Sequence, residues 1–205
     1  ELIKPIIQNE NQYSKGKSIS ANFNFPRAKG KYIAMCEGDD YWSDPLKLQK
    51  QFDLMEKNSN FSGCFHNTYR LCVKSNLKSV FNNNLKKILT KDLIKHGGGG
   101  LIDTCSLFFK KEILNRPSAW WDYLQLDQTL NLLISLNGPI IKINSTMAVY
   151  RTNQPNSWVS EQSKNLNKRL AFDLIELKMW KIFYNTEELK YKSVVFRAIM
   201  KTYYR

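Results

Sequence analysis

The chain has 205 residues, a formal net charge of +13, and 42% hydrophobic and 13% aromatic residues. That length suits one large domain or a domain with an appendage, and the apolar content exceeds what disordered chains carry. No stretch approaches the ~20 consecutive apolar residues of a membrane span, so these totals predict a soluble globular protein with a real core.

The charge is uneven. Residues 1–60 hold nine Lys/Arg against eight acids, residues 61–160 twelve against five, and residues 161–205 ten against five. Such a surplus suits a phosphate-bearing ligand, nucleic acid or an anionic membrane surface without choosing among them. The cysteines Cys36, Cys64, Cys72 and Cys105 form no C-x-x-C pair, and neither His66 nor His96 completes a zinc-type spacing. They read as small buried hydrophobes in a reducing cytoplasm.

In chain order, "ELIKPIIQNENQYSKGKS" shows no basic start leading into an apolar segment and no small-residue cleavage site, hence no visible secretory signal. Gly16-Lys17-Ser18 imitates the end of a phosphate-binding loop, but Asn11 stands where the first glycine belongs. "KYIAMC" follows the turn-like "AKGK" and predicts a buried strand. Directly behind it, Glu37, Asp39 and Asp40 place three acids within four positions. "SDPLKLQKQFDLMEK" then predicts a helix capped by Ser43 or Asp44, with Pro45 at its first position and Leu48, Phe52 and Met55 on one apolar face.

"FSGCFHNTYRLCV" (61–73) and "IDTCSLFFK" (102–110) predict strands, separated by a polar stretch and a short helix through "LTKDLIKH". The four glycines of "HGGGGL" break the pattern; without a following Lys-Ser or Lys-Thr they are not a phosphate loop. "YLQLDQTLNLLISLNGP" puts Leu126, Leu130 and Leu133 on one helical stripe, with Asp127 beside the first. "IIKINSTMAVYR" predicts a strand or hairpin, and two basic amphipathic helices follow from Glu161, joined near Asn185-Thr186.

Strands with helical crossovers, then helices, predict an α/β domain with a helical tail, and ligands of open α/β sheets gather where the acids fall, at strand carboxyl ends. Clustered acids repel unless something positive neutralises them. Hard cations such as Mg²⁺ or Mn²⁺ need only one or two carboxylates when substrate phosphates complete the shell. The competing reading, equal in weight on these residues alone, has Asp40 and Asp44 favouring the next helix's N-terminus while Glu37 is solvated.

The wider stretch "NFNFPRAKGKYIAMCEGDDYWSDPLKLQKQFDLME" resembles the metal-binding segment of family 2 glycosyltransferases with the GT-A fold. The shared pattern is an Asn, an Ala-x-Gly, a Tyr-Ile strand, an acid-x-Asp-Asp motif, an aromatic pair and a Pro-x-x-Leu helix start. "TCSLFFKKEIL", "WWDYLQLDQTLNLLISLNGPIIKI" and "MAVYRTNQPNSW" resemble later segments of the same family in the same order. The resemblance implies a partial, Rossmann-like GT-A mixed sheet with flanking helices, catalytic over residues 1–160, with a basic amphipathic helical tail over 161–205.

It further implies a metal-dependent inverting glycosyltransferase of the hexosyltransferase type, carrying sugar from a nucleotide-sugar donor to a glycan or lipid-linked acceptor. Asp39 would bind the divalent cation, Mn²⁺ or Mg²⁺. Glu37, Asp40, Asn22 and Arg151 would serve the donor, and Asp127 would be the general base. Where relatives carry a His after this Arg, the chain has Thr152-Asn153, and Ala21 stands where an Arg often precedes the Asn. Trp120 and Trp121 could line an acceptor-sugar site by stacking, but core packing is the favoured reading of any single tryptophan.

The family's opening strands, which hold the nucleotide, have no counterpart, so a truncated chain is expected; a non-catalytic remnant or interaction domain is the alternative. A nucleic-acid-binding module ranks lower because it leaves the acid cluster without purpose. The implied location is cytoplasmic; 161–205 reads first as a helical cap folded onto the domain, with a peripheral membrane contact as the alternative.

Overall fold

Two long strands organise the molecule. The computed structural model describes residues 4–97, 100–115, 127–154, 165–187 and 189–204. Within it β3 (Gly63–Cys72) runs parallel to β7 (Ile140–Thr152), and the other strands attach to this pair. β1 (Tyr32–Ala34), β2 (Tyr41–Trp42), β4 (Leu77–Phe81), β5 (Lys87–Ile88) and β6 (Phe108–Lys110) complete a mixed sheet of order β1-β6-β3-β7-β2, with β4 on β3 and β5 on β7. This is the expected α/β arrangement, consistent with part of a GT-A fold.

Each long strand has two halves. β3 pairs antiparallel with β6 at Gly63 and Cys64, then with β4 from Thr68 to Cys72, after register shifts around Asn67. Such irregularities bend and twist a strand, so the upper halves of β3 and β7 swing away from the base of the sheet. Gly63 marks the tight end: a Cβ there would lie 2.8 Å from the Phe108 carbonyl and 3.1 Å from Phe109 Cβ.

Four local readings change or resolve. "IDTCSLFFK" is strand only over Phe108–Lys110, because Ser106 N and Oγ both donate to the Asp103 carbonyl, at 2.8 and 2.7 Å, and turn the chain. The polar stretch after β3 contributes β4, entered through Asn76 in the left-handed region at φ 54°. "IIKINSTMAVYR" is one strand and not a hairpin.

The fourth change concerns α2 (Lys47–Lys57), which follows the short α1 (Phe25–Arg27). Its buried residues are Lys47, Gln51 and Met55, whereas Leu48 and Phe52 are 42% and 43% exposed. The buried face lies one residue earlier than the leucine pattern indicates because polar partners fill it. Lys47 Nζ sits 4.3 Å from the Trp42 ring and donates to Gln51 Oε1, and Gln51 Nε2 donates to the Ser106 carbonyl. The helix also starts later than expected, at Lys47, with Leu46 in the capping position and no side-chain cap; Pro45 lies before it, and Asp44 accepts from Leu46 N at 2.8 Å in the preceding turn.

α3 (Thr90–Lys95) and α4 (Asp127–Leu136) pack together, and every residue from Gln128 to Ser135 is buried. Leu130 and Leu133 take their predicted places; Leu126 and the Trp120-Trp121 pair lie outside the described residues. The chain ends with α5 (Leu166–Thr186) and α6 (Lys192–Tyr203), which pack on each other. Met179, Trp180, Phe183, Val195 and Ala198 belong to the same core as Phe65, Phe109 and Leu132.

The shared core has a testable consequence. Phe183→Ala removes a fully buried ring and should destabilise the whole protein by about 3–5 kcal/mol. Urea unfolding followed by tryptophan fluorescence and by far-UV circular dichroism should give one coincident, shifted transition. Separate transitions for the two probes would mean that the terminal helices fold apart from the sheet.

Candidate active site

The acids sit where β1 hands the chain across the sheet. Met35 N still pairs with the Leu107 carbonyl at 3.1 Å, Asp40 N closes a turn onto the Glu37 carbonyl at 3.1 Å, and Tyr41-Trp42 then joins β7 at Val149 and Ala148. The Glu37–Asp40 turn thus bridges one edge of the sheet to the other and lies beside the upper halves of β3 and β7. β1, β3 and β7 run the same way, which puts the turn at strand carboxyl ends as expected.

A second turn faces the first. Residues Asp103 to Ser106 are all buried, and each reaches a different part of the cleft. Asp103 accepts from Arg70 Nη2 at 2.6 Å and Nε at 3.2 Å, and also from Thr68 Oγ1. The Thr104 hydroxyl lies beside the Asp127 carboxylate and favours its ionised form. The Cys105 carbonyl accepts from Trp42 Nε1 at 3.1 Å, and its thiol lies beside Asp40. The Ser106 carbonyl accepts from Gln51. One short turn therefore couples β3, α2, α4 and the acidic loop.

The electrostatics follow from crowding. Although Glu37 presents surface to solvent, the cleft walls desolvate it and push its pKa up to about 8, with repulsion from Asp127 next in size, then Asp40, Asp39 and Asp103. Burial likewise raises Asp40 to about 6, opposed by the bond its Oδ1 accepts from Arg151 N at 2.9 Å. Asp40 Oδ2 is buried without a well-formed hydrogen bond, the weak thiol donor of Cys105 being its neighbour.

Asp127 stands at the first turn of α4, open to solvent at its tip yet walled by protein; desolvation raises its pKa and the Thr104 hydroxyl opposes the rise. Tyr150 is pushed up to about 12 by burial and by Glu37. Asp39 is exposed, with Oδ2 accepting from Gln154 Nε2 at 3.1 Å.

Asp39, Asp40 and Asp127 therefore all lie within electrostatic reach of Glu37. Arg151 reaches the acidic turn through its backbone, and its guanidinium lies 5.4 Å from the Tyr41 ring centre. The Asn22 amide is engaged within its own turn, donating to the Ser18 carbonyl at 2.8 Å. Sequence reasoning missed Arg70, Thr68, Asp103 and Thr104. The available signal was the run of small polar residues "DTCS" interrupting an otherwise apolar strand. A separate cavity of about 470 Å³ at the other end of β1, lined by Lys31, Tyr32, Glu56 and Lys110 among others, contains none of these residues.

A carboxylate-only donor set suits a hard divalent cation. Among the described residues, no three His, Cys, Asp or Glu side chains are grouped to hold one unaided.

The family model described as "Glycosyl transferase family 2" matches residues 3–114, over half of the chain. The chain belongs to that family. An uncharacterized protein of Mycobacterium tuberculosis and its counterpart in Mycobacterium bovis are each 29% identical over 163 residues, 78% of this chain and 45% of theirs. An uncharacterized glycosyltransferase of Methanocaldococcus jannaschii is 30% identical over 115 residues, 56% of this chain and 35% of that protein. The chain thus spans less than half the length of these relatives. Asp127 lies beyond the family-model match.

Two measurements probe the site's physics directly. Asp103→Asn should cost about 2–3 kcal/mol, below the value for a fully buried pair because the Arg70 side chain is 34% exposed, as read by chemical denaturation. Glu37→Gln should raise the melting temperature in cation-free buffer. Below pH 4.5 the group is protonated in both states; as pH climbs to about 8 the unfolded chain ionises while the folded protein resists, so ionisation favours unfolding. The gain from Gln should therefore grow between pH 4.5 and 8 and then level off.

Proposed function

We propose that this chain carries the acidic and acceptor-side parts of a metal-dependent, inverting glycosyltransferase acting on a nucleotide-sugar donor. The observation that supports this most is that Glu37 has Asp39, Asp40 and Asp127 within electrostatic reach, the last from a segment some ninety residues away. Family membership supports sugar transfer in general.

Asp39, with Glu37 beside it, would hold a Mn²⁺ or Mg²⁺ ion. Bound there, the cation supplies positive charge for the departing diphosphate. Asp40 acts as a fastening: its bond to Arg151 N ties the acidic turn to the end of β7. Arg151 and Asn22 serve the donor in this reading, Arg151 through the loop that follows β7.

Asp127 is the general base. It takes the proton from the acceptor hydroxyl as that oxygen attacks the anomeric carbon from the face opposite the leaving group, which inverts configuration. Its raised pKa makes it a better proton acceptor than a free aspartate, and the Thr104 hydroxyl beside it favours the ionised form. Trp42, held by Cys105 and Lys47, forms a wall beside this path. The acceptor is a glycan or a lipid-linked sugar.

The chain's share of its relatives' length, together with the outer edge of β1, which has no strand partner among the described residues, supports a longer polypeptide whose other strands hold the nucleotide. Tested in that context, Asp127→Asn should lower kcat by about 10³-fold or more with little change in donor KM. Asp39→Ala should remove transfer and its stimulation by Mn²⁺. Retained activity in the first variant would remove Asp127 as base, and cation-independent transfer by the wild type would remove the metal.

A further inference from the structure

α5 is apolar on two faces. One bears Met179, Trp180 and Phe183, each at most 1% exposed, and is locked into the core. At 100° per residue the other is centred about 130° away, and there Leu166, Leu170 and Leu174 are 70%, 52% and 60% exposed on successive turns. Lys178 and Lys181 continue that outward face, both exposed, and Arg169 flanks it. Ordinary surface helices carry a single apolar stripe. The buried face already accounts for packing, so the outer leucines serve something else.

We propose that this outer face of α5 docks the protein on an anionic lipid bilayer. Leucines on consecutive turns bordered by long cationic side chains match such a surface: the leucines enter the acyl boundary while lysines and arginine reach the headgroup phosphates. Residues 161–205 hold ten basic against five acidic residues, so a second copy docked face to face would meet like charge. A nucleic acid would use the cations and leave the leucines in water. A bilayer uses both. No helix among the described residues is long and apolar enough to span one, so the contact is peripheral. The inference stands apart from the sugar-transfer reading, since it concerns a face built by α5 alone.

Deleting the terminal helices would be uninformative because they contribute to the core; surface substitutions avoid that. The full polypeptide should co-sediment with vesicles of phosphatidylcholine and phosphatidylglycerol in equal parts, and much less with phosphatidylcholine alone. Leu166→Gln, Leu170→Gln and Leu174→Gln together should weaken partition by about tenfold or more while leaving circular dichroism and melting temperature unchanged. Lys178→Gln with Lys181→Gln should weaken it several-fold and flatten its salt dependence. Failure to bind anionic vesicles, or binding untouched by the leucine triple variant, overturns the proposal. So does a wild-type dimer in light scattering that the leucine substitutions dissolve, which would assign the face to a second copy.

Discussion

The ion pair between Arg70 and Asp103 is the constraint on which the cleft depends. A buried carboxylate needs a partner, and Asp103 has two, the guanidinium of Arg70 and the hydroxyl of Thr68, both projecting from the bent upper half of β3. Arg70 is itself sandwiched, 3.6 Å from the centre of the Phe81 ring on β4 and 5.8 Å from that of Tyr150 on β7. The hairpin and the parallel pair thus hold the guanidinium from both sides. Through it they hold the 103–106 turn, whose remaining groups reach Asp127, Asp40, Trp42 and Gln51.

From this anchor the acidic loop acquires its character. A protein of charge +13 gathers four carboxylates within electrostatic reach of Glu37, and none of the cations described above sits among them as a salt-bridge partner except Arg70, which is committed to Asp103. The nearby Lys47 is committed elsewhere, its ammonium over the Trp42 ring and bonded to Gln51, and burial lowers its pKa to about 8. Burial first, and repulsion from the neighbouring acids with it, make Glu37 and Asp40 hold their protons to higher pH. Such a site is unstable as an isolated anion and is stabilised by any cation, proton or metal, that enters.

Much of this was legible in the residues. "KYIAM" followed by "CEGDD" located both the strand and the acids at its carboxyl end, since a short apolar run ending in charge can bury only one of the two. The buried helix of Asp127 was equally plain, because Leu130 and Leu133 repeat at helical spacing. The face of α2 was misjudged because its buried positions are Lys47 and Gln51, which count as polar in any pattern and are buried only because Trp42 and the Ser106 carbonyl stand opposite. The turn in "IDTCS" was hidden for the same reason.

By itself, the sequence determined the longer elements, their order and the chemistry available at the acidic turn, all properties of residues close along the chain. Tertiary structure decided which distant groups share that turn: Asp127 beside Glu37, Thr104 on Asp127, Arg151 N on Asp40, and Arg70 on Asp103. It also decided that α5 turns one apolar face inward and leaves another outside. Contacts between residues far apart in sequence depend on how strands pair and bend, and no local periodicity records that.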